Sequence, residues 1–440
     1  MNKFEKSLQF IKQHIQPDSP FYAKIYLVGG CVRDELLGER YSDLDLLVNI
    51  PNGQKMFVEY MCSTFPDVCK GPFYYQRYGT TAMDVIIDGS FTLVECVEPH
   101  VEAYEEDGVT LIETRFCSLE EDSSRRDYTC NALYKNLHTG EILDPTGRGV
   151  ADLKAGLLIT PGDPATIYRQ DPVRMLRGIR FKHQKDFRLD PACWQAIIDH
   201  HEAMAISAPK RLRDELNKLL KSRSFGEGVQ DLLVSGLLTY VMPGMPEMLK
   251  DSQQHPRCEK DVTLWQHTRA ALETLTREHP HTDTLYKLAT LVMDIALMHG
   301  RNTAAELLTN AGIGKEKVIS ILHITELYRH FSSMYENGQY VARPRELPHF
   351  KNALAKHIDD FRRMVRALNQ CLLPEQQLPW RNLFDENYVP KQRLERNRTQ
   401  SATTDRKRKR NVKRREQRKR ARSRNRESAV KEQQTTIQTP

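Results

Sequence analysis

Apolar residues change their period along this chain, and the change divides it. Through about residue 160, short apolar runs alternate with glycine, proline and aspartate, as strands and turns require. Over 187–244, and again over 261–371, apolar positions recur at helical spacing with no strand signal. The opening MNKFEKSLQFIKQHI is an amphipathic helix with Lys and Glu interspersed, so it reads as neither a signal peptide nor a membrane span. Residues 26–48 predict strand, glycine turn, short helix and strand: 26–28 is apolar, Gly29-Gly30 lets the backbone approach a ligand that a Cβ would block, and 31–38 has helical spacing closed by a glycine. Residues 51–67 predict a helix across the sheet and 78–97 a hairpin turning at Asp88-Gly89. The acidic, irregular 100–114 is expected to be a mobile loop. Ser118 and Glu121 make a capping box for a helix running to about residue 134, followed by a hairpin around Thr139-Gly140 and a short helix over 150–155. YRQDPVRMLRGIRF, 168–181, opens the long helical region, and Pro374, Pro379 and Pro390 mark its exit.

Candidate chemistry falls on these elements. On an extended strand residues i and i+2 share a face, so Asp43 and Asp45 project together while Leu44 points into the core. Paired carboxylates suit two magnesium ions about 4 Å apart and in-line attack on a phosphate. Asp84 and Glu95 are strand carboxylates of the same region; each reads either as a third metal ligand or as a hairpin's exposed acid. Arg126, Asp127 and Asn131 span about one and a half turns of the predicted helix, so an arginine, an acid and an amide converge on phosphates and a sugar. Asp171 and Arg174, three apart, are neighbours on one helix face and Arg177 continues the stripe. That pair is either an ordinary salt bridge or an acceptor and donors presented to a base edge. His267 and Asp294 suggest a phosphohydrolase site, but Met293 stands where the doublet needs a histidine, so His267 reads as a core residue.

Composition sharpens this in two places. A length of 440 residues, 39% hydrophobic and 28% charged, admits two or three soluble domains. Nine cysteines without CxxC or Cys/His ligand spacing read as reduced structural thiols of a cytosolic protein, with no zinc expected. The net charge of +7 hides an asymmetry: residues 391–440 carry 19 Lys plus Arg against 5 Asp plus Glu, and the rest 46 against 53, so a body of −7 bears a tail of +14. The tail lacks aromatics and cannot bury a core; it is expected to be disordered when free and drawn to phosphate backbones through residues such as Arg406, Lys407, Arg408, Lys409, Arg410, Lys413, Arg414 and Arg415.

The motifs GG-x-VRD-x-LLG then DLD, RRDYT-x-NAL, and DP-x-RMLR-x-IRF, in this order and spacing, resemble class II nucleotidyltransferases, the CCA-adding enzymes and bacterial poly(A) polymerases, over about 26–245. The resemblance implies an α+β fold: a polymerase-β-like head with a mixed β-sheet, then all-α neck, body and tail domains and a disordered basic C-terminus. The expected divisions are an N-terminal helix (1–20), head (21–160), neck (161–245), helical body (246–390) and basic tail (391–440). It implies Asp43 and Asp45 as metal carboxylates, Gly29, Gly30 and Arg33 as the triphosphate turn, and Arg126, Asp127 and Asn131 at the ribose and phosphates. Asp171 and Arg174 would pair with the incoming base. The third carboxylate stays open between Glu95 and Asp127. One residue departs from the family pattern: Gln170 stands where glutamate is usual, which bears on nucleotide selection. The implied cofactor is Mg²⁺, and the implied partners are ATP and RNA 3′ ends in the cytoplasm, with neither membrane nor DNA. The polycationic tail favours poly(A) synthesis, since extending diverse 3′ ends benefits from sequence-independent backbone affinity; residues 347–364 also look like the late helical region of bacterial poly(A) polymerases. CCA addition is the alternative within the family, and a noncatalytic RNA-binding protein the alternative outside it.

Overall fold

The strand-rich and helical halves of the sequence become a sheet-based head and a helical remainder in the computed structural model, which describes residues 2–40, 43–75, 79–104, 111–249, 254–258, 261–336, 339–341 and 358–379. The head is a seven-stranded mixed sheet built from β1 (Ile25–Val28), β2 (Leu44–Val48), β3 (Cys69–Tyr75), β4 (Thr80–Ile87), β5 (Ser90–Val97), β8 (Tyr134–Asn136) and β9 (Ile142–Leu143), in the order β3-β4-β5-β2-β1-β8-β9. Only β2 and β5 pair in parallel. The tight β4–β5 connection takes Asp88 and Gly89 at φ 51° and 73°, the left-handed pair that a two-residue hairpin needs.

Side-chain alternation gives the sheet two unlike faces. Helices α1 (Lys3–His14) and α3 (Gly53–Thr64) bury Ile11, Phe57, Val58 and Met61 with Leu44, Leu46, Val94 and Cys96 of the sheet. On the opposite face a second small cluster, Tyr26, Val28, Leu47, Leu119 and Tyr134, packs under α4 (Leu119–Ser124). Beyond that cluster no described element covers the face, and along β5 the exposed Phe91, Leu93 and Glu95 alternate with the buried Thr92, Val94 and Cys96.

The structure corrects several sequence expectations. The region expected as a loop is a separate antiparallel ribbon, β6 (His100–Tyr104) with β7 (Leu111–Phe116); backbone pairing holds it despite its acidic composition, and 105–110 lie outside the described residues. The helix expected to reach residue 134 stops at Ser124, because Asp127 takes the Tyr128 amide, Thr129 donates its amide to Ile159, and Tyr134 is drawn into β8. A single turn of 3₁₀ helix, Thr129–Asn131, follows, then α5 (Gly149–Lys154). Residues 168–181 are not one helix either: α6 (Pro164–Gln170) ends at Asp171, extended at φ −144°, since a residue before proline is pushed out of the helical region, and α7 (Val173–Lys185) restarts after Pro172. Arg188–Leu189 pairs in parallel with Leu157–Leu158, so 187–244, expected to be helical throughout, begins with a strand. α8 (Pro191–His200) and α9 (Pro209–Leu219) follow.

Among the described residues the distal part is helical apart from a two-residue ribbon, Tyr335–Glu336 with Gln339–Tyr340, and the isolated bridges of Gln254 with Thr263 and Cys258 with Leu372. At its centre Asp294, 2% exposed, accepts from Thr268 Oγ1 at 2.7 Å and faces His267 Nδ1 at 2.7 Å and His255 Nε2 at 3.3 Å. His267 Nε2 lies 2.7 Å from the Leu368 carbonyl, so both of its ring nitrogens face acceptors and the ring's affinity for a proton is raised by Asp294 in spite of burial. Cys258 Sγ lies 3.0 Å from His255 Nδ1, which puts a thiol and two imidazoles within 4.8 Å of one another. This Cys/His grouping escaped the sequence reading because loop and helix contribute it jointly. No helix among the described residues is long and apolar enough to cross a membrane. The basic tail, 391–440, lies outside the described residues, as do Pro390 and 347–357.

Candidate functional site

β1 turns into α2 (Gly30–Leu36) through Gly29, at φ 61° and ψ −125°, a conformation closed to residues with a side chain. From α2, Cys31 reaches the start of β2: its thiol donates to the Asp43 carbonyl at 3.2 Å and accepts from the Asp45 amide at 3.4 Å. Burial, and then Asp45, push the Cys31 thiol up to about 12, so it stays protonated and acts as a tether.

Across the parallel β2–β5 pair, Asp45 stands directly opposite Glu95, while Asp43 precedes β2 by one residue on the same side. Burial, then Glu95 and Asp43, push Asp45 up to about 7, with Arg126 and Arg177 pulling it back. Glu95 is raised by burial and then by Asp43. Asp84 shares this sheet face but pairs with Leu93, one step away from the Asp45–Glu95 pair. Asp43, Asp45 and Glu95 offer hard carboxylate oxygens of the kind Mg²⁺ takes, although as placed the three do not bring their oxygens within 4.8 Å of one another; among the described residues the group that does so is His255, Cys258 and His267.

Beside them is a cavity of about 630 Å³ whose wall includes Gly29, Gly30, Arg126, Asp127, Asn131, Asp171, Arg174 and Arg177. Gly30 could carry a Cβ without a clash inside the protein, the nearest atom being Arg33 Nη2 at 3.6 Å; what its lack of a side chain leaves open is the cavity itself. The arginines are held by buried acids. Asp122, fully buried, accepts from Arg126 Nη2 at 2.8 Å, Arg125 Nη2 at 2.7 Å and the Tyr134 hydroxyl at 2.7 Å, and these partners hold its carboxyl below the usual range despite burial. Asp127 accepts from Arg177 Nε at 2.7 Å, Asn131 Nδ2 at 3.1 Å and the Tyr128 amide at 2.8 Å; burial opposes its ionisation, but Arg177 above all brings it to about 2.

Arg33 does not line the cavity. It is buried, donating to Asp34 at 2.8 Å and to Asn131 Oδ1 at 2.9 Å with its guanidinium over the Phe181 ring, so its place is behind Asn131. Asp171 and Arg174 do meet at the cavity but not on one helix face: Arg174 Nε is 3.9 Å from Asp171, and its Nη1 donates to the Ile167 carbonyl at 3.0 Å. The close partner of Asp171 is Arg211 of α9, bidentate at 2.9 and 2.7 Å. Arg211 and Asp122 both escaped the sequence reading. For Asp122 the signal was present, three and four residues before Arg125 and Arg126 on a capped helix; for Arg211, 40 residues from its partner, none was. The tail residues Arg406, Lys407, Arg408, Lys409, Arg410, Lys413, Arg414 and Arg415 lie outside the described residues.

Comparison with known proteins places this arrangement. Residues 25–159 match the family described as "Poly A polymerase head domain", and residues 186–249 the one described as "Probable RNA and SrmB- binding site of polymerase A". Poly(A) polymerase I of Haemophilus influenzae is 34% identical over 232 residues, 50% of this chain and 48% of that protein. The CCA-adding enzyme of Levilactobacillus brevis is 31% identical over 246 residues, 54% of this chain and 58% of that protein. The chain thus spans about half the length of these relatives. In fold it is similar to the crystal structure of the Bacillus stearothermophilus CCA-adding enzyme in complex with CTP, with a TM-score of 0.58 and 21% identity over 87% of this chain and 83% of that one. Residues 25–159 and 186–249 thus match two poly(A) polymerase families, and the chain resembles both the poly(A) polymerases and the CCA-adding enzymes of the class II nucleotidyltransferase superfamily.

Proposed function

We propose that the chain is a template-independent RNA nucleotidyltransferase that adds AMP from ATP to RNA 3′ ends. The observation that carries this reading is the convergence of Asp43, Asp45 and Glu95 beside a cavity walled by Arg126 and Arg177. A protein that only bound RNA would gain nothing from three carboxylates facing an anionic ligand.

Asp43, Asp45 and Glu95 would hold Mg²⁺, which when bound acidifies a hydroxyl and neutralises charge on departing phosphate oxygens. Arg126 and Arg177 neutralise the triphosphate, and because Asp122 and Asp127 already hold both guanidiniums, little ordering remains to be done when the nucleotide arrives. Arg33 fixes Asn131 from behind, leaving that amide on the cavity wall. The RNA 3′ oxygen bonds to the α-phosphorus as the bridging oxygen leaves with pyrophosphate. The proton of the 3′ hydroxyl passes to water. Asp171 as acceptor and Arg174 as donor meet the base, and Gln170 shares that wall.

The basic tail and the likeness to Poly(A) polymerase I support adenylate addition. CCA addition is the second reading, favoured by the fold likeness to CCA-adding enzymes and by the Levilactobacillus relative. Purified protein with Mg²⁺, offered an unstructured RNA and a tRNA lacking its end, each with ATP and with CTP, separates them. Long tails on both RNAs from ATP alone support poly(A) synthesis. Cytidine addition confined to the tRNA supports the second reading, and no addition with either nucleotide contradicts both.

A further inference from the structure

The sheet face that carries the carboxylates continues past them, and its register shows where it leads. β1, with Gly29 at its end, lies on one side of Asp45; β5, β4 and β3 lie on the other. Asp45 stands opposite Glu95, Glu95 opposite Ala82, and Ala82 opposite Phe73, so one cross-strand row runs from the carboxylates to the sheet edge. At about 4.8 Å per strand, Phe73 is roughly 10 Å from Glu95. Phe73 and Tyr75 are 39% and 44% exposed, and Leu93 and Phe91 beside the row are 42% and 62% exposed. Tyr74, which alternation sends to the other face, instead donates its hydroxyl to Glu59 of α3 at 2.6 Å, which confirms the direction of its neighbours.

An exposed aromatic strip this close to a transfer site has a stereochemical use. In-line displacement puts the attacking oxygen opposite the leaving group. The arginine-lined cavity lies where Gly29 and Gly30 follow β1 and Val97 ends β5, and none of its wall comes from β4 or β3, which leaves the face over those two strands for the attacking 3′ end. We propose that this open face seats the acceptor RNA as a single strand, its last three or so nucleotides crossing the strands from Glu95 to stack on Phe73 and Tyr75, with Leu93 and Phe91 alongside. At roughly 3.4 Å per stacked step, about three steps cover the span. Aromatic and apolar side chains on an open sheet stack bases without reading their sequence, as an enzyme that extends varied ends needs. The proposal rests on the nucleotidyl-transfer reading above and adds the partner's path to it.

The test uses the full chain and a ten-nucleotide unstructured RNA carrying 4-thiouridine third from its 3′ end. Irradiation should crosslink that base to the peptide containing Phe73 and Tyr75. Phe73→Ala, an exposed change on an edge strand, should weaken RNA binding and raise the acceptor KM about tenfold, while ATP affinity stays within twofold; Phe73→Trp should restore both. A crosslink mapping elsewhere, or acceptor KM and RNA affinity within twofold of wild type in Phe73→Ala, would overturn it. Crosslinking and affinity need no turnover. A chain that transfers nothing to any RNA yet crosslinks at Phe73 keeps the docking surface and loses the activity.

Discussion

Asp45 in the head is half-buried and Asp294 in the distal helices is buried, and their surroundings drive the two carboxyls in opposite directions. Asp294 is matched: two imidazoles and a threonine hydroxyl surround it, and they hold its carboxyl below the usual range against burial. Asp45 is mismatched: burial and two further carboxylates push it to about 7. A fold selected for stability alone would not crowd three acids together, whereas the Asp294 network asks nothing beyond what the protein supplies. On the proposed function, the difference separates a group that holds helices together from groups that would take a cation.

The largest effect should come from breaking the mismatched side. Asp43→Ala is expected to lower nucleotide addition at least a thousandfold in single-turnover assays, with RNA affinity nearly intact, because these groups act on the metal-bound transition state. Addition within tenfold of wild type would remove Asp43 from the chemistry.

Breaking the matched side should cost stability instead. Asp294→Asn leaves a buried imidazole without its counter-ion, a change worth about 3–5 kcal/mol in urea unfolding. The pH signs differ as well. The depressed Asp294 contributes stability that is present above about pH 4 and lost as pH falls further, and the raised His267 contributes stability present below about pH 6.5 and lost as pH rises through its folded value. The network is therefore expected to be strongest between those limits. Asp45 acts in reverse: the folded state holds its proton more tightly, so without metal its contribution erodes stability as pH rises from about 4 to about 7. Unfolding curves of Asp294→Asn that keep the wild-type pH dependence would contradict the assignment.

Asp122→Asn sharpens the comparison inside the head, since this buried acid organises arginines and is not expected to hold metal. It should raise the KM for ATP about tenfold through loosened Arg125 and Arg126, with Mg²⁺ dependence unchanged. An altered Mg²⁺ requirement would place Asp122 among the metal ligands. The smallest effect on chemistry belongs to removal of residues 391–440, which carry a charge of +14. The acceptor KM should rise and its salt dependence flatten, with single-turnover addition at saturating RNA unaltered. An unchanged salt slope would withdraw the charge argument for poly(A) over CCA addition.

What the sequence disclosed was what local spacing encodes. The strand, glycine turn, helix and strand around Gly29, the i,i+2 pair Asp43 and Asp45, and the Asp88-Gly89 turn each depend on residues a few positions apart. The Asp45–Glu95 juxtaposition depends on parallel register between strands 50 residues apart, and the Asp171–Arg211 pair on the docking of α9, neither of which leaves a periodic trace. The ribbon at His100 and the halted helix at Ser124 were misread because acidic composition and a capping box are local signals, while backbone pairing and the Asp127 side chain decided the outcome.

The central claim, that the head's carboxylate cluster trades stability for metal-dependent transfer, meets its most direct test in Asp45→Asn. Melting temperature with and without Mg²⁺ at pH 8, and AMP addition to a short RNA, are measured on wild type and variant. The account predicts a variant that melts higher than wild type without metal, gains nothing from Mg²⁺, and adds AMP at least a thousandfold more slowly. A variant that melts lower without metal, still responds to Mg²⁺ and retains activity within tenfold would contradict it.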